Sequence, residues 1–348
     1  MKRVLLLGSS GFIGTHIRRL LERTAAVTVL APQSAELDLA AADPGVWDAL
    51  LSGARPDVII NAAGRVSGTS QELSESNVRL VSGLLGSLKR LYLPPWLVHL
   101  GSAAEYGDGG PGEALHENTP GQPLTSYGLS KQAATELVLG ALAARAARGV
   151  VLRVFNPLGG GQGPVSLAGR AARLLREASR SAQREVSFGP LGNRRDYLDV
   201  RDVARAVMVA ARCRAAPPIV NVGSGQTHTS SEVVSVLAHL AGFTGQIHET
   251  SAPSVRSGSL DGRPADTRRL RAMGWSPRFT FEEALRDLWR HLPPDQNSPD
   301  QNSPDQNPPG QYPLAPVLVP TARLAPATSD QSQTAPHKEL THEQALQT

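Results

Sequence analysis

The stretch Val4-Leu5-Leu6-Leu7-Gly8-Ser9-Ser10-Gly11-Phe12-Ile13-Gly14 opens with an apolar run, breaks at Gly8 and places two further glycines at three-residue spacing. A short apolar run that ends at a glycine reads as a strand buried on both faces. The residues after it predict a helix from about Phe12. Glycines in that context allow a tight turn, close approach of a pyrophosphate and close helix packing, with the phosphate at the positive end of the helix. Gly8, Ser10, Gly11, Phe12, Ile13 and Gly14 are therefore candidate dinucleotide-binding residues. The opening Met1-Lys2-Arg3 has the charge of a secretory leader, but the apolar segment behind it breaks too soon, so a first strand is the better reading.

Outward from this stretch, short apolar runs alternate with helical periods. Val27 to Leu30, Val58 to Ile60, Leu97 to Leu100 and Val150 to Val154 read as further strands, and residues 125–148 as a helix. The alternation predicts an α/β, Rossmann-type doubly wound parallel sheet. Residues 1–156 are assigned to the dinucleotide-binding domain. Past residue 156, Gly and Pro turns separate shorter elements, including helices near 200–212, 229–241 and 280–291, which reads as a smaller interleaved substrate lobe over 157–292. From Pro293 the repeat Asp295-Gln296-Asn297-Ser298-Pro299 begins, and its low hydrophobicity predicts a disordered tail over 293–348.

Composition narrows the function classes. The chain has 348 residues and a net charge of +4, but its arginines are scattered and only 4% of residues are aromatic, so a nucleic-acid partner is not expected. No apolar run is long enough to span a membrane. A single cysteine, Cys213, rules out an internal disulfide framework and fits a reducing cytoplasm. A modest basic excess suits an anionic small substrate. No metal site is expected.

The chemistry points to Tyr127-Gly128-Leu129-Ser130-Lys131. On a helix, Tyr127 and Lys131 project from one face. An ammonium beside a phenol stabilises the phenolate and brings the Tyr pKa down from about 10, which makes Tyr127 a usable general acid. Lysine is scarce here, at four residues among 35 basic ones, and a compact ammonium fits between a phenol and a ribose where a guanidinium would not. The acid that normally ends the second strand and bonds both ribose hydroxyls is missing: that place falls on Ala31, followed by Pro32, Gln33 and Ser34. Nothing there repels a 2'-phosphate, so NADP(H) is favoured, with NAD(H) as the alternative. Asp38 and Leu39 are placed to cap the adenine edge.

With Asn61-Ala62-Ala63-Gly64, Asn77, Gly101-Ser102 to Gly107, Leu152-Arg153-Val154-Phe155-Asn156, Arg195-Asp196-Tyr197, Asn221 to Gly225 and Leu270 to Trp275 added, the chain over about 3–291 resembles the extended short-chain dehydrogenase/reductases, in their nucleotide-sugar epimerase, dehydratase and ketoreductase branch. The resemblance implies that Ser102, 25 residues before Tyr127, shares the substrate carbonyl with it. It implies cofactor contacts at Ala62, Ala63, Gly64, Asn77 and Lys131, and places a sugar-nucleotide diphosphate against Asn156 and Arg195, with Arg256 or Arg263 on the second phosphate. A guanidinium fork and a neutral amide suit that anion. It also implies a homodimer through the helices carrying Asn77 and Tyr127, with Leu80, Leu84, Leu137 and Leu142 in its apolar stripe.

Departures from the family separate its activities. Dehydratases carry an acidic pair directly after the Ser or Thr, and Ala103-Ala104 stands here; carbon-3,5 epimerase-reductases place a Cys where Ala104 stands. Two activities need no more than what remains: reduction of the C4 ketone of an NDP-4-keto-6-deoxyhexose, dTDP-linked by preference, or 4-epimerisation with bound NAD. A non-catalytic dinucleotide sensor is the third reading, disfavoured by an intact Ser102, Tyr127 and Lys131. Richness in Ala and Arg with few Lys fits a GC-rich genome, where such reductases serve deoxysugar pathways of glycosylated natural products, including antibiotics.

Overall fold

A computed structural model describes residues 1–33, 39, 41–108, 113–250 and 262–293. In chain order the elements are β1 (Arg3–Leu7), α1 (Phe12–Glu22), β2 (Thr28–Leu30), α2 (Pro44–Ala54), β3 (Val58–Asn61), α3 (Ser70–Ser74), α4 (Leu80–Leu88), β4 (Trp96–Ser102), α5 (Ser126–Ala143), β5 (Arg148–Val154), β6 (Asn156–Leu158), α6 (Leu167–Arg180), β7 (Glu185–Phe188), β8 (Arg194–Arg195), β9 (Tyr197–Asp199), α7 (Val200–Arg212), β10 (Ile219–Val222), β11 (His228–Thr229), α8 (Ser230–Ala241), β12 (Gln246–Glu249), α9 (Arg268–Ala272) and α10 (Phe281–Arg290). A π-helical turn, Glu75–Arg79, joins α3 to α4, and a 3-10 turn, Ala103–Tyr106, follows β4. Among the described residues no helix is long and apolar enough to cross a membrane.

Six strands form one parallel sheet in the order β2-β1-β3-β4-β5-β10. Its strands are apolar on both faces because both faces are covered. Val4, Leu6, Val58, Ile60, Val98 and Val150 pack on the side of α1 and α7. Leu5, Leu7, Ile59, Leu97 and Val151 pack on the side of α2, α4 and α5. Fully burying a leucine stabilises the fold by about 1.5–3 kcal/mol, so each of these strands contributes strongly. The chain runs from β1 to β2 on one side and then crosses to β3 on the other, which makes the carboxyl ends of β1 and β3 the switch point where ligands bind in such sheets.

After β5 the chain leaves the sheet, builds β6 to β9 and α6, then returns through α7 to add β10 beside β5, with Ile219 opposite Val151. The lobe outside the sheet has its own core, including Leu158, Leu175, Val186, Phe188, Val233, Leu237, Leu285 and Leu288. The first lobe thus draws on chain well beyond residue 156. Of the tail, only Pro293 lies within the described residues.

Two details differ from the sequence reading. The helix of the Tyr-Lys pair ends at Ala143, not 148, because Arg148 already starts β5 and Gly149 pairs with Leu97, whose backbone lies too close to admit a side chain at 149. The apolar stripe also needs correction. Leu80 and Leu84 are 5% and 0% exposed and belong to the core beneath the sheet, and Leu142 is half-buried against that core. On α5 the exposed apolar side chains are Leu129 and Leu137.

Candidate active site

The sequence-derived residues converge on the carboxyl edge of the sheet, at the turns after β1, β3 and β4, with the first turns of α5 beside them. Gly8 adopts φ +77°, and a Cβ there would stand 2.5 Å from the Ala63 nitrogen and 2.6 Å from the Ala62 carbonyl carbon. Only glycine lets the two turns touch in this way. Helix α1 starts at Phe12 behind Gly11, and no side chain caps it. Its first N–H groups therefore keep their donor capacity for an anion. Glycine turn, uncapped helix start and the adjoining Ala62–Gly64 backbone fit a dinucleotide pyrophosphate.

At the end of β2, Ala31 is followed by Gln33, whose amide donates to the Ser9 hydroxyl at 3.2 Å and to the Ala31 carbonyl at 3.1 Å. A neutral amide thus ties the β2 end to the glycine turn where an acid would repel a second phosphate. Leu39 packs against the core on that side, and Asp38 lies outside the described residues.

Gly64, at φ +147°, faces the Asn77 amide, with no room for a side chain between them. Asn77 is 2% exposed. Its Oδ1 accepts from the Arg65 N–H at 2.9 Å, and its Nδ2 donates to the Arg65 carbonyl at 3.0 Å and to the Ser130 hydroxyl at 2.9 Å. Ser130 in turn donates to the Tyr127 carbonyl at 2.8 Å. The family resemblance puts Asn77 at the cofactor, and in the structure its amide braces the loop after β3 against α5.

Ser102 closes β4 in extended conformation. Its hydroxyl oxygen accepts from the Ala104 N–H at 3.2 Å, which leaves the hydroxyl proton to donate. Tyr127 is half-buried on the first turn of α5, a helix capped by Thr125, whose hydroxyl accepts from the Gly128 N–H at 3.0 Å. Lys131, one turn on, is 6% exposed and donates to the Leu100 carbonyl at 2.5 Å. Burial lowers the Lys131 pKa from 10.5 to about 8, and the charge of Glu105 pulls against that shift. His99, buried on β4, is held well below its ordinary pKa by burial and by Lys131.

Sequence reasoning missed what lies beneath Ser102. Glu105, fully buried, accepts from the Ser102 N–H at 2.7 Å and the Thr135 hydroxyl at 3.0 Å through Oε1, and from Arg153 Nε at 2.7 Å through Oε2. The signal was available: a lone acid in Ala103-Ala104-Glu105-Tyr106 and a lone Arg in an apolar strand are two charges that burial must pair.

In the second lobe, parallel pairing of β6 with β9 sets Asn156 opposite Tyr197, beside Arg195-Asp196. The Asn156 amide donates to the Asp196 carbonyl at 3.0 Å, leaving its Oδ1 and second N–H for other partners. Arg195 is half-buried on β8, and its Nη1 donates to the Arg194 carbonyl at 2.8 Å. Arg263 donates to the Ala114 carbonyl at 2.8 Å, and Arg256 lies outside the described residues. The buried Asp196 carboxylate takes the N–H groups of Ser224, Gly225 and Ala265, which fixes Arg195 on a rigid backbone.

Residues 4–223 match the model of the NAD dependent epimerase/dehydratase family. The chain is 38% identical over 301 residues to a dTDP-6-deoxy-L-talose 4-dehydrogenase (NAD(P)(+)) of Kitasatospora kifunensis, covering 82% of this chain and 94% of that protein. It is 28% identical over 295 residues to a GDP-6-deoxy-D-mannose reductase of Pseudomonas aeruginosa, covering 82% and 95%. The solved UDP-glucose 4-epimerase of Thermus thermophilus in complex with NAD superposes with a TM-score of 0.71 at 28% identity, over 83% of this chain and 98% of that one.

Proposed function

The chain belongs to the NAD-dependent epimerase/dehydratase family, and we propose that within it the protein is an NAD(P)H-dependent reductase of the C4 ketone of an NDP-4-keto-6-deoxyhexose, dTDP-linked by preference. The observation that carries this reading is the pairing of an intact Ser102, Tyr127 and Lys131 with alanines at 103 and 104: the site can move one hydride and one proton and has no acid-base pair for elimination. Similarity to a sugar 4-dehydrogenase and to a sugar reductase supports it, since oxidation at a hydroxyl and reduction of the ketone are one transfer in two directions.

In this reading Gly8 to Gly14, Ala62 to Gly64 and the start of α1 hold the dinucleotide, with Lys131 on its ribose. The reduced nicotinamide supplies hydride to the C4 carbonyl carbon. Ser102 donates a hydrogen bond to the carbonyl oxygen and so stabilises the developing negative charge there. Tyr127 gives that oxygen its proton, and the Lys131 ammonium makes the phenolate left behind less unfavourable. Asn156 and Arg195 orient the substrate by its diphosphate. Gln33 beside Ala31 leaves the cofactor's ribose edge without a repelling carboxylate, which supports NADP(H) over NAD(H). The exposed Leu129 and Leu137 on α5 support pairing of two copies through that helix, which light scattering reads directly.

The deciding experiment follows NADPH oxidation by the purified protein against a panel of dTDP- and GDP-linked 4-keto-6-deoxyhexoses. Stoichiometric oxidation with formation of a 4-hydroxy sugar is expected. A protein that carries tightly held NAD through purification and interconverts two 4-hydroxy epimers without consuming NADPH is a 4-epimerase instead.

A further inference from the structure

Glu105 is buried without any exposed surface, and each of its oxygens has a named partner on a different element. Oε1 receives the backbone N–H of Ser102 from β4 and the Thr135 hydroxyl from α5; Oε2 receives Arg153 Nε from β5. Gly101 makes room for it, since a Cβ there would stand 2.7 Å from Oε1. Behind the pair, the Arg153 guanidinium lies 4.5 Å from the centre of the Tyr106 ring, and the Tyr106 hydroxyl donates to Asn221 Oδ1 on β10 at 2.7 Å. The turn that carries Ser102 is thereby tied to α5 and β5 through one carboxylate, and to β10 through the Tyr106 hydroxyl.

A buried ion pair is a poor stabiliser, because desolvating two charges offsets most of their attraction, and a well-packed apolar pair of similar size is often as stable or more so. Its position directly under Ser102 therefore asks for another account. Resting on the reading of Ser102, Tyr127 and Lys131 as the catalytic set, we propose that Glu105, held in place by Arg153, is the positioning residue of this site: it fixes the Ser102 turn and, through the Thr135 hydroxyl one helical turn beyond Lys131, sets its negative charge against the face of α5 that carries that ammonium.

The surroundings of Lys131 leave Glu105 as the group that can do so. Helix α5 packs against β4, the turn after it, β5 and the segment from α3 to α4. From β4 comes His99, which burial and Lys131 keep below its ordinary pKa. From β5 comes Arg153, already paired, and from α5 itself Tyr127. On the remaining segment Glu75 and Arg79 are exposed and Glu72 is half-exposed, its carboxylate paired with Arg65. Burial drives the Lys131 pKa down to about 8, and Glu105 is the charge that opposes it.

The test uses the full chain with lysines labelled at Cε. Four lysines give four signals, and the Lys131 signal is the one lost in Lys131→Met. In Glu105→Gln the Lys131 titration midpoint is expected to fall by about one pH unit, the effect of removing an opposite charge at short range. In the reductase assay kcat should fall about tenfold or more, with KM for the sugar nucleotide little changed, because a misplaced Ser102 harms the transition state more than binding. Glu105→Leu with Arg153→Leu guards against misfolding, since it replaces the pair by apolar bulk; because the Arg153 charge goes with it, Lys131 should shift in the same direction but less far. An unchanged Lys131 midpoint in both variants overturns the proposal. The titration needs no substrate: a shifted midpoint in a protein that reduces none of the keto sugars would sustain the part of Glu105 and reject the reductase.

Discussion

Lys131 donates to the carbonyl oxygen of Leu100 at 2.5 Å and so fastens α5 to β4 two residues before Ser102. Tyr127, the proposed general acid, and Ser102, whose hydroxyl is proposed to share its substrate oxygen, sit on different elements, 25 residues apart in sequence. With the Thr135 hydroxyl bond to Glu105, this bond holds the two elements together, and it does so through the ammonium proposed to act on Tyr127.

Removing the phenol tests the chemistry directly. Tyr127→Phe should lower kcat by roughly two to four powers of ten, the range for a lost general acid, while the dissociation constant for NADPH measured by fluorescence stays within about twofold. Near-normal turnover would remove Tyr127 from the mechanism.

The buried ammonium imposes a stability cost with a definite pH window. Lys131 has a pKa of about 8 in the fold against 10.5 when free, so between those values the unfolded chain binds more protons and stability rises with pH. Below about 8 the full cost applies. Lys131→Met should therefore be inactive and yet more stable than the native chain near pH 7, by about 1–3 kcal/mol in urea unfolding, with the advantage shrinking toward pH 10. For the native enzyme, kcat should decline on the alkaline side with a midpoint near 8 as the ammonium is lost.

Asn77 is the brace between the loop after β3 and α5. Asn77→Leu leaves the Arg65 N–H and carbonyl and the Ser130 hydroxyl short of a partner, and urea unfolding should report a loss of about 2–4 kcal/mol. A loss below about 0.5 kcal/mol would mean that water replaces the amide at no cost.

Cofactor choice should be movable from one position. Ala31→Asp sets a carboxylate at the end of β2 where a 2'-phosphate would lie, and the ratio of kcat/KM for NADPH over NADH should fall about ten- to a hundredfold. An unchanged ratio would show that the phosphate lies elsewhere.

The sheet is legible because its strands are apolar runs between glycine turns, and buried parallel strands admit little else; β1 and β3 to β5 differ from the sequence reading only at their ends. Leu80 and Leu84 escape correct placement because periodicity reports an apolar face without saying what covers it, and here the sheet covers it. The partners of Asn77 are hidden for a different reason: a polar residue in a helix says nothing of what it bonds, and Arg65 and Ser130 lie 12 and 53 residues away. Glu105 and Arg153 are half-legible: each is a lone charge in an apolar setting that burial must pair, but nothing local joins two residues 48 apart across α5.

The return of β10 to the edge of the sheet bears on how this enzyme can be recombined with its relatives. Chain that builds the second lobe, proposed to hold the sugar nucleotide, is spliced between β5 and β10, two strands lying side by side, and resumes after β10 with β11, α8 and α10. A chimera built by one crossover near residue 156 would import a foreign edge strand and a foreign α7 onto the native sheet, where Val203, Val207, Val220 and Val222 share a core with Val4 and Leu6. Grafting a new sugar preference requires two separate insertions that leave residues 200–222 in place.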